Sequence, residues 1–301
     1  MIRLFSFGLI YFISSDFATA QLAGQDAIKP GKDTVEVVKS KLDISLEGMS
    51  NAIYAGRNYG VDQFGLNPCV AFNHKSGLKL SIFAYGMGKT PGLIAETDFG
   101  IGFTQKITAK FRITPGYSYI LNKGDSANLL NNVINLASEL ELDFISVGNY
   151  AAFSFGKSSA WYDEATLAKY ISLFSVAENK FSLSPTFVMV MGTKESLATF
   201  GHGATVYKKS INKIVGNGNG KGGGKPPAGT TTTTTTTSIS KKFMVLSYDF
   251  MIPITYTYKV FSFAVIPHYD IPVNLGAEES TLSGNPFYVT AKITLSLPVS
   301  L

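Results

Sequence analysis

Apolar and polar residues alternate with a period of two along most of this chain, and the alternation is interrupted at intervals by breaks that are by turns short and long. Segments such as LELDF, KFRITPGYSYI and MVLSYDFMIPITY carry it most clearly. Successive side chains of a β-strand point to opposite faces, so each such segment offers one apolar face and one face of Gly, Ser, Thr or charge. A soluble sandwich would bury the apolar face between sheets of short strands. Here several strands are expected to run about thirteen residues or more, beyond the usual five or six but suited to a tilted membrane crossing. The chain therefore reads as all-β, a closed up-and-down antiparallel transmembrane β-barrel.

The amino terminus supports export. Arg3 precedes the apolar run LFSFGLIYFI, and the small-x-small sequence Ala18-Thr19-Ala20 follows, so residues 1–20 read as a secretory signal cut before Gln21. The apolar run is about half the length a spanning helix needs. Residues 21–38, with Pro30-Gly31, read as a periplasmic tail, and 39–301 as the barrel. Loss of Arg3 and Asp16 with the signal leaves the net charge of +5 unchanged. That balance gives no case for nucleic acid and fits a lipid bilayer with a lipopolysaccharide-rich surface. No later apolar stretch is long enough for a membrane helix, although 45% of the chain is hydrophobic. Cys69 is the single cysteine, which excludes an internal disulfide and leaves it a small filler.

Twelve strands are expected: 42–54, 67–74, 78–88, 93–105, 109–121, 132–145, 148–157, 168–177, 180–193, 242–257, 260–273 and 286–298. HKSG, QKIT, Ile145-Ser146-Val147, AENK and Tyr258-Lys259 make tight turns. Between them lie NYGVDQFG, GKTPG, NKGDSANLL, KSSAWYDEATLA, a long insert and NLGAEESTLSG. Short periplasmic turns alternating with long external loops, with both termini periplasmic, satisfy the pattern of an outer-membrane barrel. Pro253 and Pro267 cannot donate to a ladder and are expected at bulges. The insert at 194–241 holds NGNGKGGGKPPAG and eight consecutive threonines, 230–237, and reads as a mobile external loop. Its Gly-rich stretch lacks the setting and the Ser/Thr after Lys of a phosphate-binding loop.

Parity sorts the side chains. Phe99, Ile101, Phe103, Phe111, Ile113, Tyr117 and Tyr119 face lipid, as do Leu246, Tyr248, Phe250, Ile252, Ile254 and Tyr256 on a later strand. Tyr54, Tyr85, Tyr117, Tyr119 and Tyr269 are expected in an external aromatic girdle, Tyr256 and Tyr258 in a periplasmic one. Glu96, Asp98, Lys110, Arg112, Glu139, Glu141 and Asp143 have inward parity on three successive strands. They form either a constriction with walls of opposite sign or a salt-bridge network that fills the interior. A two-residue turn at Tyr258-Lys259 sets Asp249 opposite His268 on the inner face, a pH-sensitive pair if it gates, with Asp270 one inward position further on. Trp161 and Tyr162, in an expected external loop, are candidate ligand contacts. Of the three histidines, His74 falls at a turn, His202 in the insert and only His268 in the lumen, so no metal site, cofactor or enzyme chemistry is expected.

The layout resembles Gram-negative outer-membrane β-barrel proteins, the small porins in particular. The first strand, ending NAIYAGRNYG and followed by GLNPCVAF and SGLKLSIFAYG, is similar to porins whose first strand ends Tyr-x-aromatic-Arg-Gly, but Tyr54-Ala55-Gly56-Arg57 departs from that signature. Many such barrels end on an aromatic residue read by the outer-membrane assembly machinery, whereas this chain ends ITLSLPVSL. The resemblance implies an outer-membrane location and passage of small polar solutes. The alternative is a structural or adhesive barrel with a filled lumen that acts through its external loops.

Overall fold

The computed structural model describes residues 39–51, 64–87, 96–122, 131–156, 159–193, 242–275 and 286–300. The expected signal at 1–20, the tail at 21–38 and the insert at 194–241 lie outside the described residues. Among the described residues there is no helix. The strands are β1 (Ser40–Met49), β2 (Gly65–Asn73), β3 (Leu78–Met87), β4 (Glu96–Phe103), β5 (Gln105–Lys106), β6 (Phe111–Asn122), β7 (Asn132–Glu141) and β8 (Ser146–Phe155). They continue as β9 (Ser159–Ala168), β10 (Ile171–Val176), β11 (Asn179–Leu183), β12 (Thr186–Thr193), β13 (Phe243–Met251), β14 (Ile254–Tyr258), β15 (Phe261–Pro272) and β16 (Phe287–Val299).

Four pairs, β4 with β5, β9 with β10, β11 with β12 and β13 with β14, are single staves with a break, so the sixteen strands build a closed twelve-stranded antiparallel barrel. Each stave pairs with its sequence neighbours, and β1 pairs β16 from Ser40↔Val299 to Met49↔Thr290, which closes the sheet and removes its edges. The turns at 74–77, 107–110, 142–145, 177–178 and 259–260 are all at one end, with Ser40 and Val299; the other connections are all at the opposite end and are longer, except the expected loop after β8, which is reduced to residues 156–158. Ala177 and Lys259 take left-handed conformations (φ 52° and 53°) that let their turns reverse in two residues.

Prolines account for the breaks. Pro185 separates β11 from β12, and its carbonyl accepts from Lys169 N (3.0 Å) in the facing break between β9 and β10. Pro253 separates β13 from β14 and accepts from Ser184 N (2.9 Å), while Ile252 N donates to Pro267 O (3.2 Å). Pro115, in β6, lies beside the break between β4 and β5. A residue without an N–H interrupts the ladder; here the flanking backbone groups still find partners.

One expected strand moves. The eighth was expected at 168–177 after the loop KSSAWYDEATLA, but β9 begins at Ser159 and takes in most of that segment. Its alternation is real: Ala160, Tyr162, Glu164 and Ala168 are buried, Trp161 and Leu167 exposed. Asp163 and Glu164, one on each face, hide it. Trp161 and Tyr162 are therefore strand residues on opposite faces of the barrel, not loop contacts.

The outer face is apolar around the whole barrel. Ile44, Leu46, Val70, Ile82, Ile101, Tyr119, Ile134, Phe250, Phe263, Tyr269 and Ile293 are exposed on it. On a closed barrel such a surface is what the hydrocarbon layer covers. Trp161, Tyr117, Tyr119 and Tyr269 lie on this face toward the long connections, and Tyr256 and Tyr258 toward the short turns, as girdles do. Two expectations fail. Tyr85 is inside, 2% exposed, and Leu246 is buried because a bulge between Val190↔Ser247 and Met191↔Val245 reverses the parity of the strand beyond it. Tyr54 lies outside the described residues.

Candidate functional site: a stratified lumen

The inward side chains divide into two levels. Toward the short turns, β6 and β7 pair Arg112 with Glu139. Arg112 Nε donates to Glu139 Oε2 at 2.7 Å, while Nη2 makes ionic contacts with Glu139 Oε2 (2.5 Å) and Glu141 Oε1 (3.2 Å). The guanidinium and Glu141 keep solvent contact (25% and 34% exposed), and Glu139 does not (5%). At the same level Asp43 accepts from Asn73 Nδ2 (2.8 Å) and Ser296 Oγ (2.6 Å), with Lys41 Nζ 3.6 Å away. Lys79 interacts electrostatically with Arg112, Lys41, Asp43 and Glu139, so these charges form one field. Gly100, Gly102, Gly116 and Gly148 have inward parity here, and a Cβ on Gly116 would meet Asn135 Oδ1 at 2.6 Å.

Toward the long connections the inner face is shielded. Met49, Phe83, Tyr85, Ile120, Val133, Tyr150, Tyr162, Val188, Val190, Leu246, Met251, Ile266 and Tyr288 belong to one buried cluster. Set among them are Glu47, Asp98, Glu164, Asp249 and Asp270, each 4% exposed or less. Tyr162 donates its hydroxyl proton to Glu164 Oε1, and Asp98 is hydrogen-bonded to Ser118. Glu47 faces Lys292 across the closing pair of strands. His268 Nδ1 lies 2.9 Å from Asp249 Oδ2, and its ring stacks on Tyr288 with centroids 4.3 Å apart.

The residues expected in a single constriction thus separate. Arg112, Glu139 and Glu141 come together in the lumen. Lys110 and Asp143 pair at 2.5 Å on the rim, 57% and 86% exposed, because both lie in turns beyond the strands. The hydrogen bond from Lys110, aided by its charge, holds the Asp143 carboxyl below the usual carboxylate range. Asp98 belongs to the other level. Glu96 opens β4, and its side chain is outside the described residues. Asp249 and His268 meet, but not by the expected register: the turn is Lys259-Val260, so Asp249 faces Asp270, His268 faces Met251, and the pair is diagonal. Glu47, Lys79, Glu164 and Lys292 were not singled out from the sequence, although inward parity on β1, β3, β9 and β16 would have found them.

A closed barrel with an apolar exterior and a charged interior has the architecture of a transmembrane β-barrel of the outer-membrane type. No family model matches the chain, and no curated protein matches it in sequence. Among solved structures it is similar to one described as a KdgM porin (10% identity, 86% of this chain and 99% of that one, TM-score 0.41). It is also similar to a NanC porin (8%, 86% and 100%, 0.43) and to LpxR from Salmonella typhimurium (12%, 85% and 99%, 0.38). The barrel rests on this chain's own strand pairing, not on these likenesses.

Proposed function

We propose that this chain is a porin-like channel of the outer membrane that admits small polar solutes, with its short-turn end and both barrel termini in the periplasm. The observation that carries this reading is the Arg112, Glu139 and Glu141 cluster: opposite charges on adjacent staves, facing inward, with Arg112 and Glu141 still touching solvent. Walls of opposite sign set up a transverse field that orients polar solutes in a pore. Twelve staves enclose more room than the eight whose side chains just fill a barrel, and less than a sixteen-stranded porin. The lipid bilayer, lipopolysaccharide and the outer-membrane assembly machinery are the partners this reading requires, and no catalytic step or cofactor enters it.

A second reading, a filled barrel that works through its long connections, is favoured by the buried cluster in the other half of the lumen. Reconstitution of the purified protein in planar bilayers separates them. A channel gives single-channel current steps, and Arg112→Glu shifts its reversal potential in a salt gradient toward cation preference. A silent bilayer, with insertion verified, leaves the filled barrel.

A further inference from the structure

One carboxylate is on the wrong side of the sheet for a barrel in lipid. Asp163 lies between Tyr162 and Glu164, both buried in the lumen, and shares the parity of the exposed Trp161 and Leu167, so it turns outward from β9. The other strand carboxylates described above turn into the lumen. Trp161, in the girdle toward the long connections, is the next outward residue of β9, which sets Asp163 one outward position deeper into the apolar belt. Asn149, outward on β8 with Val147 and Phe155, donates from Nδ2 to Asp163 Oδ1 at 2.7 Å and also reaches Glu164 O at 3.2 Å. Ser138 of β7 stands opposite Asn149. A charge on the lipid face of a barrel is costly, and one side-chain hydrogen bond uses only part of a carboxylate's acceptor capacity. Ionisable residues placed in this way mark function or association.

The surroundings of this pair suit a second copy of the chain. Acyl chains supply no donor, and an anionic lipid headgroup is repelled by the carboxylate. The register partners of the two residues are alanines, Asn149↔Ala165 and Ala151↔Asp163, so the patch stands in low relief. Small residues let membrane-embedded backbones approach closely, and polar side chains then bond across the contact. Phe153 flanks the patch, with Trp161 at 4.7 Å and Phe155 at 6.0 Å between ring centroids. Only residues 156–158 join β8 to β9, so this hairpin carries no long connection of its own to hold two copies apart. Two barrels inserted in the same direction are related by a two-fold axis along the membrane normal, which preserves depth and exchanges left for right. The amide and carboxylate touch, so they differ in depth by no more than their 2.7 Å bond. An axis passing through the pair therefore sets the amide of each copy opposite the carboxylate of the other.

We infer that the outer face of the β8–β9 hairpin is a self-association surface, on which two copies of this chain pair through Asn149 and Asp163 across Ala151 and Ala165. The inference needs a membrane barrel but not a conducting one, so silent bilayers leave it standing. The test joins two measurements on the folded full-length chain. In a Cys69→Ala background, Ala165→Cys is reconstituted in phospholipid vesicles at high lipid-to-protein ratio and treated with a short bifunctional thiol cross-linker. A covalent dimer is expected, and none from Ala291→Cys on the lipid face of β16. Sedimentation equilibrium in detergent micelles then compares the parent with Asp163→Leu and Asn149→Ala. Each variant should weaken the dimer about tenfold, the loss of two symmetric hydrogen bonds of the size found inside membranes. Heat-modifiable gel mobility verifies folding, and the urea midpoint of Asp163→Leu should not fall, since an apolar side chain replaces a lipid-facing acid. Monomers throughout, equal cross-linking at 165 and 291, or a dimer indifferent to both variants overturns the surface. A monomer holding lipopolysaccharide that Asp163→Leu releases overturns it too and gives the patch to a lipid.

Discussion

The two halves of the lumen are made by the same staves, yet they handle charge in different ways. Toward the short turns Arg112 and Glu141 keep water contact; toward the long connections Asp98, Glu164, Asp249 and Asp270 have none. In the wet half a pair that water reaches, such as Arg112 with Glu141, contributes little to stability and its charges shape a field, whereas the buried Glu139 depends on Arg112. In the shielded half every charge has to be compensated by neighbours such as Ser118, Tyr162 and His268, so the same residue types become structural as well as electrostatic. One stave can serve both roles because inward residues recur every second position, and only the height along the strand decides which half they enter.

The strongest way to break this comparison is to open the shielded half. Tyr162→Ala removes a ring that is 1% exposed together with the donor to Glu164, and is expected to cost about 3–5 kcal/mol in urea unfolding of the folded barrel. If that half is the barrier to flow, the surviving folded protein shows larger single-channel currents. Next comes Arg112→Gln, which leaves Glu139 buried without its cation: a loss of about 3 kcal/mol in the same assay and, unlike Tyr162→Ala, no rise in current. Asp143→Asn is expected to do least. Because the Asp143 carboxyl is held below its ordinary range, any contribution from the pair with Lys110 is present above the unfolded-state pKa. It disappears as the pH falls through the lowered value. The unfolding midpoints of this variant and its parent therefore converge in acid, and differ little at neutral pH since both side chains are exposed.

Much of this architecture was legible in the sequence because a barrel writes its two environments at alternate positions. The twelve staves, the side of the sheet that faces lipid, and the meeting of Arg112 with Glu139 and Glu141 all follow from parity and turn spacing. What escaped depends on single residues that parity cannot count. The bulge at Leu246 reverses the faces of one strand, and the turn at Lys259-Val260, one residue on from the expected position, moves Asp249 from His268 to Asp270. Acidic residues on both faces of β9 disguised a strand as a loop and hid Glu164 and Tyr162. The division of the lumen into wet and shielded levels was not legible at all, because it depends on barrel-wide packing of residues far apart in the chain.

Site-directed thiol labelling tests that division most directly. In a Cys69→Ala background, single cysteines replace Thr294 or Ser296 in the wet half and Ser154 or Ser247 in the shielded half, and each folded barrel is exposed to a small charged, membrane-impermeant thiol reagent. Rapid labelling at 294 and 296 with slow labelling at 154 and 247 is the predicted result; equal rates at all four positions would contradict a lumen with two levels.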